Sequence, residues 1–175
     1  PTEAHTGYGY IKQGAAIAGT GCYDVAQFKE KPDLDTANRY LAQGGYSWNS
    51  GMFLFTPAAY LKELERFAPK IATSVAAAAQ FTKDLGFTRR SNSALEHCPS
   101  DSIDYAILER SNNVVVMPVD LKWSDVGSFS SLDVLTKKDK NGNSLNANYM
   151  AQKSTNNLVI NEAEHTIATL GVSNL

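Results

Sequence analysis

Between Gly7 and Val119 the hydrophobic period of the chain keeps switching, and this alternation restricts the fold more than any other feature. "GYGYI" (Gly7 to Ile11) and "YDVAQF" (Tyr23 to Phe28) carry aromatic and β-branched residues between glycines and read as strands. In "DLDTANRYLAQGG" Asp33 or Asp35 acts as a cap, apolar residues follow at helical spacing, and glycines stop the pattern. "GMFLF" reads as a short buried strand. It runs into "TPAAYLKELERFAP", a helix capped by Thr56, with Pro57 at its first position, Pro69 at its end and a core stripe of Leu61, Leu64 and Phe67. "KIATSVAAAAQFTKDLG" predicts an alanine-rich helix stopped by Gly86, "SIDYAILER" a further helix, and "NVVVMPV" a strand. This rhythm predicts an α/β sandwich with helices packed on a mixed sheet.

The pattern fades after Lys138. "KDKNGNSLNANYM" has the composition of turns and linkers, and "NNLVIN" and "HTIATLGV" offer only short β-like runs. A boundary is expected there, dividing the chain into 1–138 and 139–175. The second segment is too short to bury a core unaided. The chain opens at Pro1 without an initiator methionine and stops at "LGVSNL", so the expectation is a piece of a longer protein with no activity by itself.

Charge narrows the choice of partner. A net charge of −2 without blocks of like sign gives no general attraction to nucleic acid or an acidic membrane, so anion binding has to be local. No apolar run approaches the roughly 20 residues of a membrane span, and no signal segment is present. The reading is a soluble, cytoplasmic chain in which the lone Cys22 and Cys98 stay reduced. His5, His97 and His165 lack metal-ligand spacing and read as surface or turn residues.

Three stretches carry chemistry. "FKEKPD" (Phe28 to Asp33) is either a solvated charged turn or a strand end from which Pro32 holds one lysine out rigidly. A fixed ammonium suits a phosphate, and a neighbouring carboxylate suits sugar hydroxyls, because a charged acceptor takes two hydroxyl donors. "YSWNSG" (Tyr46 to Gly51) supplies either core and turn residues or the parts of a carbohydrate site: an aromatic wall in Trp48, the Asn49 amide and a glycine that permits close approach. "KWSDVGSF" (Lys122 to Phe129) places Asp125 either in an ordinary turn or where a carboxylate holds magnesium against a phosphate. Asp104 sits in the first turn of its helix, where it suits the dipole, with a substrate role left open.

Taken in order, "PTEAHTGYGYI", "FKEKP", "YSWNSGMFLF", "SIDYAILE", "WSDVGSF" and "DKNGN" resemble the sugar-1-phosphate nucleotidylyltransferases over nearly the whole chain. The nearest likeness is to the branch that joins mannose 1-phosphate to GTP, whose bacterial members are often fused to a phosphomannose isomerase. The resemblance implies an α/β, Rossmann-like nucleotidyltransferase fold, incomplete here, followed by the start of a β-helix-like linker. It places the chain in the C-terminal portion of the catalytic domain, since the glycine-rich phosphate loop, the pyrophosphate-contacting arginine and the first metal aspartate are not found; "GYGY" is no substitute for the loop.

Carried over by position, the resemblance gives Lys31 the phosphate of mannose 1-phosphate and Glu30 the sugar hydroxyls. Asn49 and the backbone of Gly9 contribute further sugar contacts beside Tyr8, and Asp125 completes a Mg2+ site. It further implies GTP and GDP-mannose as ligands, a homo-oligomer of the full-length chain, and no nucleic-acid or membrane partner. Lys29 stands where an apolar residue is common and Phe129 where tryptophan is frequent; neither is a proposed contact. Two alternatives remain: another sugar-1-phosphate nucleotidylyltransferase, such as one making a thymidylyl product from glucose 1-phosphate, and a non-catalytic subunit that senses sugar nucleotides.

Overall fold

The computed structural model describes residues 1–79, 82–84, 86–89, 93–144 and 148–175. They form two compact units, Pro1–Leu121 and Lys122–Leu175.

In the first unit, β1 (Tyr10–Ile17) and β2 (Cys22–Lys29) form an antiparallel pair whose connection uses Gly19 and Gly21 at φ near +75°, a region open to glycine without steric cost. β3 (Tyr46–Trp48) adds to the free edge of β1, and the two-residue β6 (Val115–Val116) to that of β2. Helix α1 (Leu34–Gln43) links β2 to β3. Of the two predicted caps, Asp33 is the one used, its carboxylate accepting the Thr36 N–H at 2.7 Å, while Asp35 lies in the first turn. The helix lays Ala37 and Tyr40 against Tyr10 and Tyr46, forming a core in which Tyr40 and Tyr46 stack at 4.2 Å. Buried tyrosines need partners for their hydroxyls. Gln27 donates to Tyr40 at 3.1 Å and accepts from Tyr46 at 2.9 Å, while the Tyr10 hydroxyl is met by the backbone of His5.

A second core joins α2 (Pro57–Phe67), α3 (Pro69–Ala78) and a π-helical turn, Asp104–Leu108, around Leu64, Ala106 and Ile107. Thr56 caps α2 and Pro57 opens it, as predicted. Buried Glu63 accepts the Ser111 hydroxyl at 2.5 Å, tying α2 to the segment after the π-helical turn.

Several local expectations are corrected. The first strand begins at Tyr10, not Gly7. "GMFLF" is not a buried strand: no described residue pairs with it, and Leu54 is fully exposed. A strand exists only through its ladder partners, which an apolar run does not itself supply. Of the predicted stripe on α2, Leu64 is buried, Phe67 is half-buried and Leu61 is exposed, because only one edge of the helix meets the π-helical turn. The alanine-rich helix stops at Ala78. A hairpin of β4 (Thr82–Asp84) and β5 (Phe87–Arg89) follows, with Gly86 at φ +82°, so hydrogen-bonding between two β-prone segments replaces continued helix. Residues 80, 81 and 85 of that predicted helix lie outside the described residues. The helix expected in "SIDYAILER" is present, as a π-helical turn; the pairs of the four-stranded sheet are antiparallel, and a parallel pair lies in the second unit.

The second unit contains α4 (Phe129–Leu135) and a parallel pair, β7 (Tyr149–Gln152) with β8 (Ile167–Leu170). The pairing continues through Thr155 and Ser173, and Asn156 and Asn174, each partner 18 residues after the other. Polar side chains fill the interior. Asn143 accepts the Asn157 side-chain amide at 2.9 Å and donates to the Ser154 carbonyl at 2.9 Å, and both asparagines are almost wholly buried. Buried amides are tolerable only when paired in this way. Among the described residues no helix is long and apolar enough to cross a membrane.

Candidate functional site

"FKEKPD" connects the last residue of β2 to the cap of α1, so its backbone is fixed from both ends. Phe28 is buried in the sheet, and Lys31 takes φ +45°, a conformation costing a non-glycine residue about 1 kcal/mol or more. The Lys31 side chain is more than half exposed and its ammonium lies 3.6 Å from Glu30 Oε1. Lysine is therefore held outward as the charged-turn reading allows. Glu30 does not fit that reading, because its side chain is only 10% exposed.

Its burial is arranged by three other segments. The Glu30 backbone N–H donates to Glu109 Oε1 at 2.8 Å, and the same oxygen takes Lys29 Nζ at 3.2 Å. Glu30 Oε2 points to Gly9, where a Cβ would lie 2.3 Å from that oxygen and 3.0 Å from the Asn49 Cβ. Asn49 is placed by its own N–H to the Gly9 carbonyl at 2.7 Å, by its side-chain carbonyl accepting from Gly51 N at 3.0 Å, and by Nδ2 donating to Asp104 Oδ1 at 2.9 Å. Gly9, Glu30, Asn49 and Asp104 therefore meet at one point. Tyr8 lies beside them, stacked on His5 at 3.8 Å and edge-on to Trp48 at 5.1 Å. Trp48 also packs against the tyrosine core, as the core-residue reading of "YSWNSG" has it.

Two buried polar atoms have no hydrogen-bond partner among the described residues: Glu30 Oε2 and Trp48 Nε1. Unpaired buried groups cost on the order of 1–3 kcal/mol, so each calls for an explanation. Burial first, and the Asp104 carboxylate second, push the Glu30 carboxyl above its ordinary value; Lys31 and the Asn49 amide pull it back only in part.

A stability test follows from the sign of that shift. A carboxyl raised in the folded state binds its proton more readily folded than unfolded, so its contribution is fully present at acid pH and is lost as pH rises through the folded value. Glu30→Gln has no such loss. Its melting temperature is expected to exceed that of the wild type at neutral pH, with the gap closing as pH falls below the ordinary carboxylate range. A gap independent of pH would show that ionised Glu30 carries no desolvation cost.

Asp125 belongs to the other unit, where it is exposed and its Oδ1 accepts the Gly127 N–H at 3.3 Å across a turn. Its oxygens are the hard donors that magnesium takes. Among the described residues, however, no group of three or more metal-binding side chains gathers, so the chain offers one such ligand without forming a metal site by itself. Cys22 and Cys98 are free thiols.

Of two further participants, the sequence left a substrate role open for Asp104 and did not single out Glu109. Asp104 and Glu109 stand five residues apart, a spacing that separates them around an α-helix. The wider π-helical turn, closed by Glu109 N–H to Asp104 O at 2.9 Å, lets one contact Asn49 and the other Glu30. Lys29, which departs from the apolar residue common at its position, gains a partner in Glu109.

With this geometry established, the chain can be compared with known proteins. The Nucleotidyl transferase family model matches residues 1–142. The mannose-1-phosphate guanylyltransferase of Salmonella muenchen is 47% identical over 176 residues, 100% of this chain and 37% of that protein. The xanthan biosynthesis protein XanB of Xanthomonas campestris pv. campestris (strain B100) is 52% identical over 144 residues, 82% of this chain and 30% of that protein. Among solved structures, one described as mannose-1-phosphate geranyltransferase from Thermus thermophilus superposes with a TM-score of 0.76 at 29% identity, over 99% of this chain and 49% of that one. The chain thus spans about a third of the curated relatives' length, and the match lies in their N-terminal part, so the C-terminal placement expected from the sequence does not apply to those proteins as wholes. Family match and superposition agree with the α/β arrangement of sheet and helices, and the chain belongs to the nucleotidyl transferase family as an incomplete Rossmann-like domain.

Proposed function

We propose that this chain is the sugar-phosphate-binding part of a mannose-1-phosphate guanylyltransferase, which makes GDP-mannose and diphosphate from GTP and mannose 1-phosphate. One observation carries the reading: a buried glutamate oxygen without a partner, set against a glycine, next to a lysine projecting from a rigid strand end. An acceptor-only oxygen suits a hydroxyl, and an ammonium held beside it suits the phosphate on the same sugar. In this reading Glu30 takes ring hydroxyls and Lys31 takes the phosphate. Gly9 offers its backbone with Tyr8 alongside. Asn49 brings its amide to the sugar hydroxyls between the two carboxylates.

The reaction is an in-line displacement. A phosphate oxygen of mannose 1-phosphate forms a bond to the α-phosphorus of GTP as the bond to the departing diphosphate breaks, and no side-chain nucleophile takes part. The chain's residues act by positioning and by neutralising charge between two anions. Asp125 would supply one ligand to a bound Mg2+, which would screen the phosphates. Residues 1–138 form the sugar-phosphate half, and 139–175 the linker and the beginning of a β-helix, in a cytoplasmic homo-oligomer that binds neither nucleic acid nor membrane.

The test is diphosphate release by the full-length protein, crossing mannose and glucose 1-phosphates with GTP, dTTP and UTP. Release confined to mannose 1-phosphate with GTP is expected. Lys31→Ala is expected to raise KM for the sugar phosphate by about 10–100-fold with little change for GTP, the effect of losing one charge-assisted contact. An unchanged KM removes Lys31 from the site. Release with another pair makes the protein a different nucleotidylyltransferase, and none at all favours a sensing subunit.

A further inference from the structure

We propose that Asp104 is a further specificity-determining residue: its second carboxylate oxygen and the unpaired oxygen of Glu30 take two hydroxyls of the sugar ring on either side of the Asn49 amide. The inference rests on the reading of the site given above and assigns a second carboxylate to it. Asp104 spends Oδ1 on Asn49 Nδ2 at 2.9 Å, and no described residue donates to its Oδ2. Glu30, nine-tenths buried, likewise leaves Oε2 unclaimed. Both carboxylates flank one amide: Glu30 Oε2 lies 2.3 Å and Asn49 Nδ2 3.4 Å from the point a Gly9 Cβ would occupy.

Two ionised carboxylates beside one amide repel each other, whereas two hydroxyl donors relieve both. Neighbouring ring hydroxyls meet that need. A sugar carrying an anionic substituent on the same face is excluded by charge, and one lacking a hydroxyl leaves a carboxylate oxygen unpaired. The π-helical turn fixes Asp104 for this task, since the Glu109 that closes the turn also anchors the Glu30 backbone.

The experiment measures kcat/KM of the full-length protein for mannose 1-phosphate and for a set of its mono-deoxy analogues, in the wild type, Asp104→Ala and Asp104→Asn. In the wild type, removal of at least one hydroxyl is expected to cost about 10–100-fold. In both variants that cost is expected to shrink to within about threefold, while KM for GTP stays near the wild-type value. Asparagine can still accept from Asn49 and is isosteric with aspartate, so Asp104→Asn carries the test if the alanine variant does not fold. Equal discrimination in all three proteins overturns the proposal. So does discrimination lost in Asp104→Ala but kept in Asp104→Asn, which would make Asp104 a positioning residue acting through Asn49. Failure of the wild type to turn over any sugar 1-phosphate would instead overturn the underlying reading of the site.

Discussion

Gly9→Ala is expected to lower kcat/KM of the full-length protein for its sugar phosphate by about 100-fold or more while leaving the fold intact. The added methyl carbon would sit 2.3 Å from Glu30 Oε2 and 3.0 Å from the Asn49 Cβ. The second contact is with a carbon close to the backbone, which is held by the Asn49 N–H to Gly9 O bond and has little room to give. The first is with the end of a rotatable side chain, so the carboxylate swings aside and the fold survives. The site does not survive, because the displaced oxygen is the one proposed to meet the sugar, and misplacement by about 1 Å is enough to cost two orders of magnitude. Steady-state kinetics with sugar phosphate and nucleotide varied separately, together with a melting curve, check this. An unaltered kcat/KM would mean that the Glu30 oxygen is not part of a preorganised site.

Asn143→Ala is expected to destabilise the unit Lys122–Leu175 by about 3 kcal/mol, a large effect for an amide outside any apolar core. Asn143 is completely buried, and its side chain accepts from both the N–H and the side-chain amide of Asn157 and donates to the Ser154 carbonyl. Truncation strands these partners inside, at about 1–3 kcal/mol for each group left unpaired. Hydrogen exchange at the amides of Asn157 and Val172 in the full-length protein reads the loss locally, since the first donates to Asn143 Oδ1 and the second to Ser154 Oγ in the same polar interior. A change below about 1 kcal/mol would mean that water replaces the lost amide.

Particular residues show how far the sequence reached into this fold. Helices α1 and α2 were legible because caps are local chemistry: Asp33 and Thr36, or Thr56 and Ala59, are three residues apart and satisfy each other regardless of the rest of the chain. "GMFLF" failed for the opposite reason. Its apolar run states a preference for burial but contains none of the neighbours that would provide it. The alanine-rich helix ended early because pairing across Gly86 competes with helix propensity, which is only a weak prior. The Asn143 and Asn157 pair, 14 residues apart in a stretch that reads as linker, has no local signature at all.

The candidate site divides in the same way. By itself the sequence singled out Glu30, Lys31 and Asn49, the residues proposed to bear the chemistry, and determined the strand-to-helix frame that carries the first two, since residue type and short-range spacing are written in the chain. Only the tertiary structure decided that Glu30 is buried without a partner against Gly9, and that Asp104 and Glu109 join it through a π-helical turn. The physical reason is that burial and electrostatic environment are properties of groups brought together from distant segments. A carboxylate's chemistry depends less on its own identity than on the lysine, amide and second carboxylate that folding places around it.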